Sequence, residues 1–146
     1  MASDAQSPDQ HDFAIRNDFS ELQWLSDAVR EFLGPRGVSQ RILFTVDLVL
    51  EEVVTNILKY AYLDAESHQI AIHVELTPEQ VILVVEDDGR PFDPARAPVP
   101  ELTQRLEERT VGGVGIHLVR RMVQLFRYER RGTRNRLEIR VDRRAE

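Results

Sequence analysis

The 146-residue chain contains no cysteine. That excludes a disulfide framework, a thiolate metal site and a cysteine nucleophile. No apolar run approaches the roughly 20 residues of a membrane span. The N-terminal stretch MASDAQSPDQHD is polar and lacks the apolar core of a secretory signal. The expectation is therefore a cytoplasmic protein with no membrane association. Internal repeats are absent, and lysine nearly so: Lys59 stands alone against eighteen arginines.

The charge that is present is unevenly spread. The formal net charge is −6, yet Arg120 to Glu146 holds ten arginines against four acids. A basic stripe can mark a nucleic-acid footprint. Here the arginines alternate with apolar residues in RNRLEIRVDRR, which suits the wet face of an edge strand, so direct nucleic-acid binding is not expected. The length fits one ordinary domain, able to bury roughly two thirds of its unfolded surface.

Periodicity gives the element order. Residues 1–11 are small and polar without a pattern and read as a disordered tail; 12–146 read as a single domain. DFAIRND (12–18) alternates as a short strand. Ser20 with Gln23 has the capping-box pattern and opens a first helix that ends at Gly34-Pro35-Arg36-Gly37. A second helix runs from Ser39 to about Tyr62 with a broad apolar face. HQIAIHVEL (68–76) and VILVVED (81–87) form a hairpin, and the second of these, almost wholly apolar, belongs at the centre of a sheet. Residues 94–111 have no hydrophobic period and are long enough for a lid or binding loop. VGGVGIHLVRRMVQLF is a glycine-rich turn feeding a helix, and a hairpin turning at Gly132-Thr133 closes the chain. The order β-α-α-β-β-loop-α-β-β predicts an α+β domain: a two-layer sandwich with a mixed, mostly antiparallel sheet and helices on one face.

Three stretches carry candidate chemistry, and each also has an ordinary structural reading. In EEVVTNILKYAY (51–62), Glu52 and Asn56 are four apart and stack on one helical face, with Lys59 a turn further on. An acid, an amide and a cation in a row can serve a metal, its phosphates and a proton acceptor; they can equally be the wet side of an amphipathic helix. In EDDGRPFDP (86–94), Asp87 and Gly89 sit where the apolar strand ends. An Asp there can accept from an exocyclic amine while glycine lets a flat ring approach the backbone, or the pair is a plain turn. In GGVGIHL (112–118), Gly113 and Gly115 precede a helix. Backbone N–H groups there can hold an anion, or the glycines are a helix-entry turn. The spacing fits neither a Rossmann fingerprint nor a Walker A loop.

Taken together and in this order, E-x-x-x-N on a helix, D-x-G-x-x-F-D after a strand and G-x-G into a helix resemble the N, G1 and G2 boxes of the GHKL ATPases, which share the Bergerat, or histidine-kinase-like ATPase, fold. Within that superfamily the chain resembles most the RsbW-type anti-sigma factor serine kinases, over about residues 12–142, and a stand-alone domain is expected. The resemblance implies an ATP- and Mg²⁺-dependent serine/threonine protein kinase. It implies Glu52 as general base, Asn56 as the Mg²⁺ ligand bridging phosphates, Lys59 as a phosphate contact, and Asp87 with Gly89 as adenine reader. Gly113 and Gly115 would cradle phosphates, with Gly112 easing movement of a lid at about 94–111, from which Arg105 or Arg109 would reach the γ-phosphate. Ile116 stands where Leu or Phe is more usual, and His117 is expected to have no catalytic role. The implied partners are a STAS-domain anti-anti-sigma protein, a sigma factor and a PP2C-type phosphatase in the same pathway. A homodimer is a further expectation, with Phe13, Ile15 and the first helix as its contact. The alternative function is an ATP-binding partner-switching module without kinase activity.

Overall fold

Apolar residues recur every second position in four strands and at helical spacing in two helices, and burying both sets at once gives one sheet under one helical layer. The structure, a computed structural model, describes residues 9–96 and 113–144. Its strands are β1 (Gln10–Arg16), β2 (Gln69–Leu76), β3 (Gln80–Asp87), β4 (Leu125–Arg131) and β5 (Arg134–Asp142). Its helices are α1 (Leu22–Leu33), α2 (Gln40–Tyr60) and α3 (Gly113–Met122). The sheet order is β1-β2-β3-β5-β4, and all four described pairings are antiparallel. β3 lies at the centre, as its apolar composition predicts. No helix among the described residues is long and apolar enough to cross a membrane.

The pleat sends alternate residues to opposite faces. Val81, Leu83 and Val85 of β3, Ile70, Ile72 and Val74 of β2 and Leu137, Ile139 and Val141 of β5 form the floor of the core. Val49, Leu50, Val53 and Val54 of α2 form its roof with Leu25 and Val29 of α1. Each such side chain contributes about 1.5–3 kcal/mol relative to exposure. Ser39 caps α2 by accepting from the Ile42 N–H at 3.2 Å. α1 and α2 are pinned by Asp47, which accepts from Ser26 Oγ and, at 3.0 Å, from Arg30.

Several expectations are corrected. β1 begins at Gln10, because pairing with β2 continues to Gln10 opposite Glu75 and the His11 ring packs 4.6 Å from Phe13. The cap ahead of the first helix is Asp18, not Ser20: its carboxylate accepts from the Ser20 N–H at 2.9 Å and opens a short 3₁₀ turn at Phe19–Glu21. Phe13 and Ile15 cannot supply a surface contact, since they are 8% and 2% exposed and belong to the core. The arginine-rich strand β5 is not an edge strand; it lies between β3 and β4. Its outer face is charged, and there Glu138, itself buried, accepts from Arg127, Arg136 and Arg140 at 3.0, 3.4 and 2.7 Å. The expected lid falls outside the described residues except for a 3₁₀ turn at Pro94–Arg96, and so do Gly112, Arg105 and Arg109.

Candidate active site

Two of the three stretches meet at the start of α3. α2 is apolar on its lower face, which seats it on the sheet and brings Glu52 up beside the first turn of α3. The contact is close: a Cβ built on Gly115 would stand 1.9 Å from Oε1 of Glu52. A side chain fits there only if the Glu52 carboxylate moves aside. Oε1 is buried and has no hydrogen-bond partner among the described residues. Leaving a buried carboxylate oxygen unsatisfied is costly. Burial raises the Glu52 carboxyl above its ordinary value; the neighbouring Glu51 adds to this and Lys59 opposes it. Asn56, one turn along and 2% exposed, donates from Nδ2 to the Glu52 carbonyl at 2.6 Å. That bond fixes the amide so that Oδ1, a hard-cation ligand, is the atom left for other partners. Gly113 opens α3, and Ile116 on the same helix is core. His117 is half-buried.

The third stretch lies at the far end of α2. Asp87 is the last inward residue of β3 and is 3% exposed, while Glu86 before it faces the outer side and pairs with Arg134 and Arg136. Asp87 Oδ1 accepts from the Gly89 N–H at 2.8 Å and from Asn135 Nδ2 at 2.9 Å. Burial pushes the Asp87 carboxyl up, and those two hydrogen bonds work against it. Gly89 presses on the end of α2: a Cβ there would lie 2.5 Å from the Ala61 carbonyl oxygen. Arg90 completes the join. Its backbone N–H donates to the Ala61 carbonyl at 2.8 Å and its Nε to the Tyr60 carbonyl at 2.7 Å, satisfying carbonyls that end the helix.

The sequence reading missed Asn135. It sits opposite Asp87 in register on β5, facing inward with Leu137, Ile139 and Val141. A polar residue at a core-parity position was the available signal. It also missed a cluster beside Asp87. His68 has Asp64 at 2.8 Å from Nε2 and Asp88 at 3.1 Å from Nδ1, and its ring stacks on Tyr62 at 4.3 Å. Burial, with Asp87 and Asp88 nearby, raises the Tyr62 hydroxyl, which is buried without a partner among the described residues.

Comparison with known proteins bears on the family and the fold. The histidine kinase-like ATPase domain model matches residues 15–141. The serine/threonine-protein kinase BtrW of Bordetella bronchiseptica is 34% identical over 103 residues, covering 69% of this chain and 71% of that protein. The histidine kinase domain of the Erythrobacter litoralis blue-light activated histidine kinase superposes with a TM-score of 0.55 at 22% identity, covering 86% of this chain. This chain spans 60% of that structure, and the likeness extends to the fold alone.

Proposed function

The chain belongs to the histidine kinase-like ATPase family, and we propose that it is a protein serine/threonine kinase that phosphorylates a STAS-domain anti-anti-sigma partner. Through that partner it would control the availability of a sigma factor, with a PP2C-type phosphatase reversing the modification, in the cytoplasm. The relative named a serine/threonine-protein kinase supports the reaction class. The observation that carries the reading is the orphaned oxygen of Glu52, buried against Gly115 at the N-terminus of α3. A fold retains an unsatisfied carboxylate where a ligand completes it.

In this reading the chain binds ATP with the base at Asp87 and Gly89 and the phosphates at the start of α3. The backbone N–H groups of that turn favour negative charge. Lys59 adds a cation on the adjoining helix. Asn56 Oδ1 fits a divalent cation that takes few protein ligands and completes its shell with phosphate and water. Mg²⁺ held there supplies charge neutralisation across the phosphates. Glu52 takes the proton from the attacking serine hydroxyl as the oxygen–phosphorus bond forms and ADP leaves. Its raised value brings it nearer the operating pH, where a general base is most effective.

The test is incubation with γ-labelled ATP, Mg²⁺ and the STAS-domain protein encoded nearest to this one. Label on a serine of that protein, lost with Glu52→Gln while ATP binding persists, is the expected result. ATP binding without transfer would replace the kinase with a partner-switching module. No ATP binding would remove both.

A further inference from the structure

We infer that Asn135 is a positioning residue for base selection: it fixes Asp87 as a hydrogen-bond acceptor and thereby sets a preference for adenine over purines bearing a carbonyl in place of the exocyclic amine. This rests on the reading of Asp87 given under the proposed function.

The argument starts from the amide of Asn135, whose hydrogen-bonding positions are all used. Nδ2 donates to Asp87 Oδ1 at 2.9 Å and to the Arg90 carbonyl at 2.8 Å. Oδ1 accepts from the Tyr128 hydroxyl, from Arg130 at 3.2 Å and from the Phe92 N–H at 3.4 Å. Rotating the amide by half a turn would set its oxygen against a carboxylate and a carbonyl, and its NH₂ against two N–H donors. The surroundings therefore hold it in one orientation. That orientation presents a donor to Asp87.

A donor there has two effects on Asp87. It occupies Oδ1 together with the Gly89 N–H, so Oδ2, which makes no hydrogen bond among the described residues, is the oxygen left for a ligand. It also favours the ionised carboxylate in a site 3% exposed, where burial alone favours the neutral acid. An ionised carboxylate only accepts, so it pairs with an exocyclic amine and repels a carbonyl in the same place. A neutral carboxyl can donate and loses that discrimination. Removing a matched partner in a dry site leaves a buried polar group unpaired, which is why such contacts discriminate strongly.

Asn135 also ties the 88–93 loop to the sheet, so a purely structural role has to be separated from selection. Loss of loop anchoring weakens all purine nucleotides alike; loss of selection changes their ratio. The experiment is calorimetric binding of ATP and of ITP to the full chain and to Asn135→Ser. Wild type should favour ATP, and in the variant the ATP-to-ITP affinity ratio should fall about tenfold, with ITP affinity little changed. Equal weakening of both nucleotides, or an unchanged ratio, overturns the inference while leaving the function standing. Wild type that binds ATP without preference over ITP, or binds neither, instead removes the reading of Asp87. Should Asn135→Ser not fold, Tyr128→Phe removes one donor that orients the amide; the ratio should fall by a smaller factor, and an unchanged ratio counts against the inference.

Discussion

Glu52 and Gly115 compete for one space: a methyl group on Gly115 would stand 1.9 Å from Oε1 and 2.0 Å from Cδ of the glutamate. The obstacle is the far end of a flexible side chain, so Gly115→Ala should fold, losing about 1 kcal/mol as the carboxylate swings aside. Displacing a reacting group by about 1 Å can cost a hundredfold in rate. Transfer from labelled ATP should fall by about that factor, more than ATP affinity does. Unchanged transfer would show that the carboxylate position is immaterial to the chemistry.

Glu52 should also be a stability liability. Its carboxyl is raised in the fold, so folding favours the protonated form. The ionised form then subtracts stability as pH climbs from the ordinary value of 4.5 through the raised one. Glu52→Gln should melt higher than wild type at neutral pH, and the difference should vanish at acid pH where both side chains are neutral. A variant that melts lower at pH 7 would mean that the carboxylate is supported in a way its environment does not suggest.

Asn56→Ala should remove the Mg²⁺-dependent part of ATP affinity. Calorimetry with and without Mg²⁺ distinguishes the cases. A loss confined to the Mg²⁺ titration supports the assignment, and an equal loss in both points to the lost bond from Nδ2 to the Glu52 carbonyl.

How much of this was readable beforehand varies by residue. The places of Glu52, Asn56 and Asp87 in the fold were legible: four-residue spacing puts the first two on one face of α2, and Asp87 ends the apolar run that becomes β3; the roles given to them come from the resemblance and not from that spacing. Asn135 stands at an inward position of β5, but arginines alternating with apolar residues read locally as an edge strand, and they mark the outer face and not the inner one. Which strand neighbours β3 is decided by long-range pairing, and the local pattern does not contain it. The Asp18 cap is hidden for a similar reason, since Ser20 with Gln23 is an equally good local pattern and only the geometry of the turn chooses between them. The join of Gly89 to Ala61 needs the relative placement of a helix end and a strand end, 28 residues apart in sequence, and no spacing rule reaches that far.

His68 gives a pH dependence. Both ring nitrogens face carboxylates, and a neutral imidazole has one N–H to offer. The hydrogen bond to Asp64, and then the charges of Asp64 and Asp88, raise its value in the fold, with desolvation opposing; the Tyr62 ring covers one side. A raised histidine contributes its full stabilisation below the ordinary value of 6.5 and loses it as pH rises through the folded value. The melting-temperature deficit of His68→Gln should therefore be largest near pH 6 and shrink by about pH 9. A deficit that does not vary with pH would assign His68 to packing alone.

The grip of the Arg90 loop on the last carbonyls of α2 turns that helix into a ruler. Glu52 stands at one mark and Ala61 at another, nine residues on, and at 1.5 Å per residue the two levels are about 14 Å apart. The separation of the Glu52 carboxylate from the Asp87–Gly89 turn is thus set by a count of residues in a rigid rod. Inserting or deleting one residue between them would turn one end by about 100° relative to the other, swinging either the Glu52 carboxylate or the Asp87–Gly89 turn out of line. The interval from Glu52 to Ala61 is therefore fixed by helical geometry and tolerates no change of length.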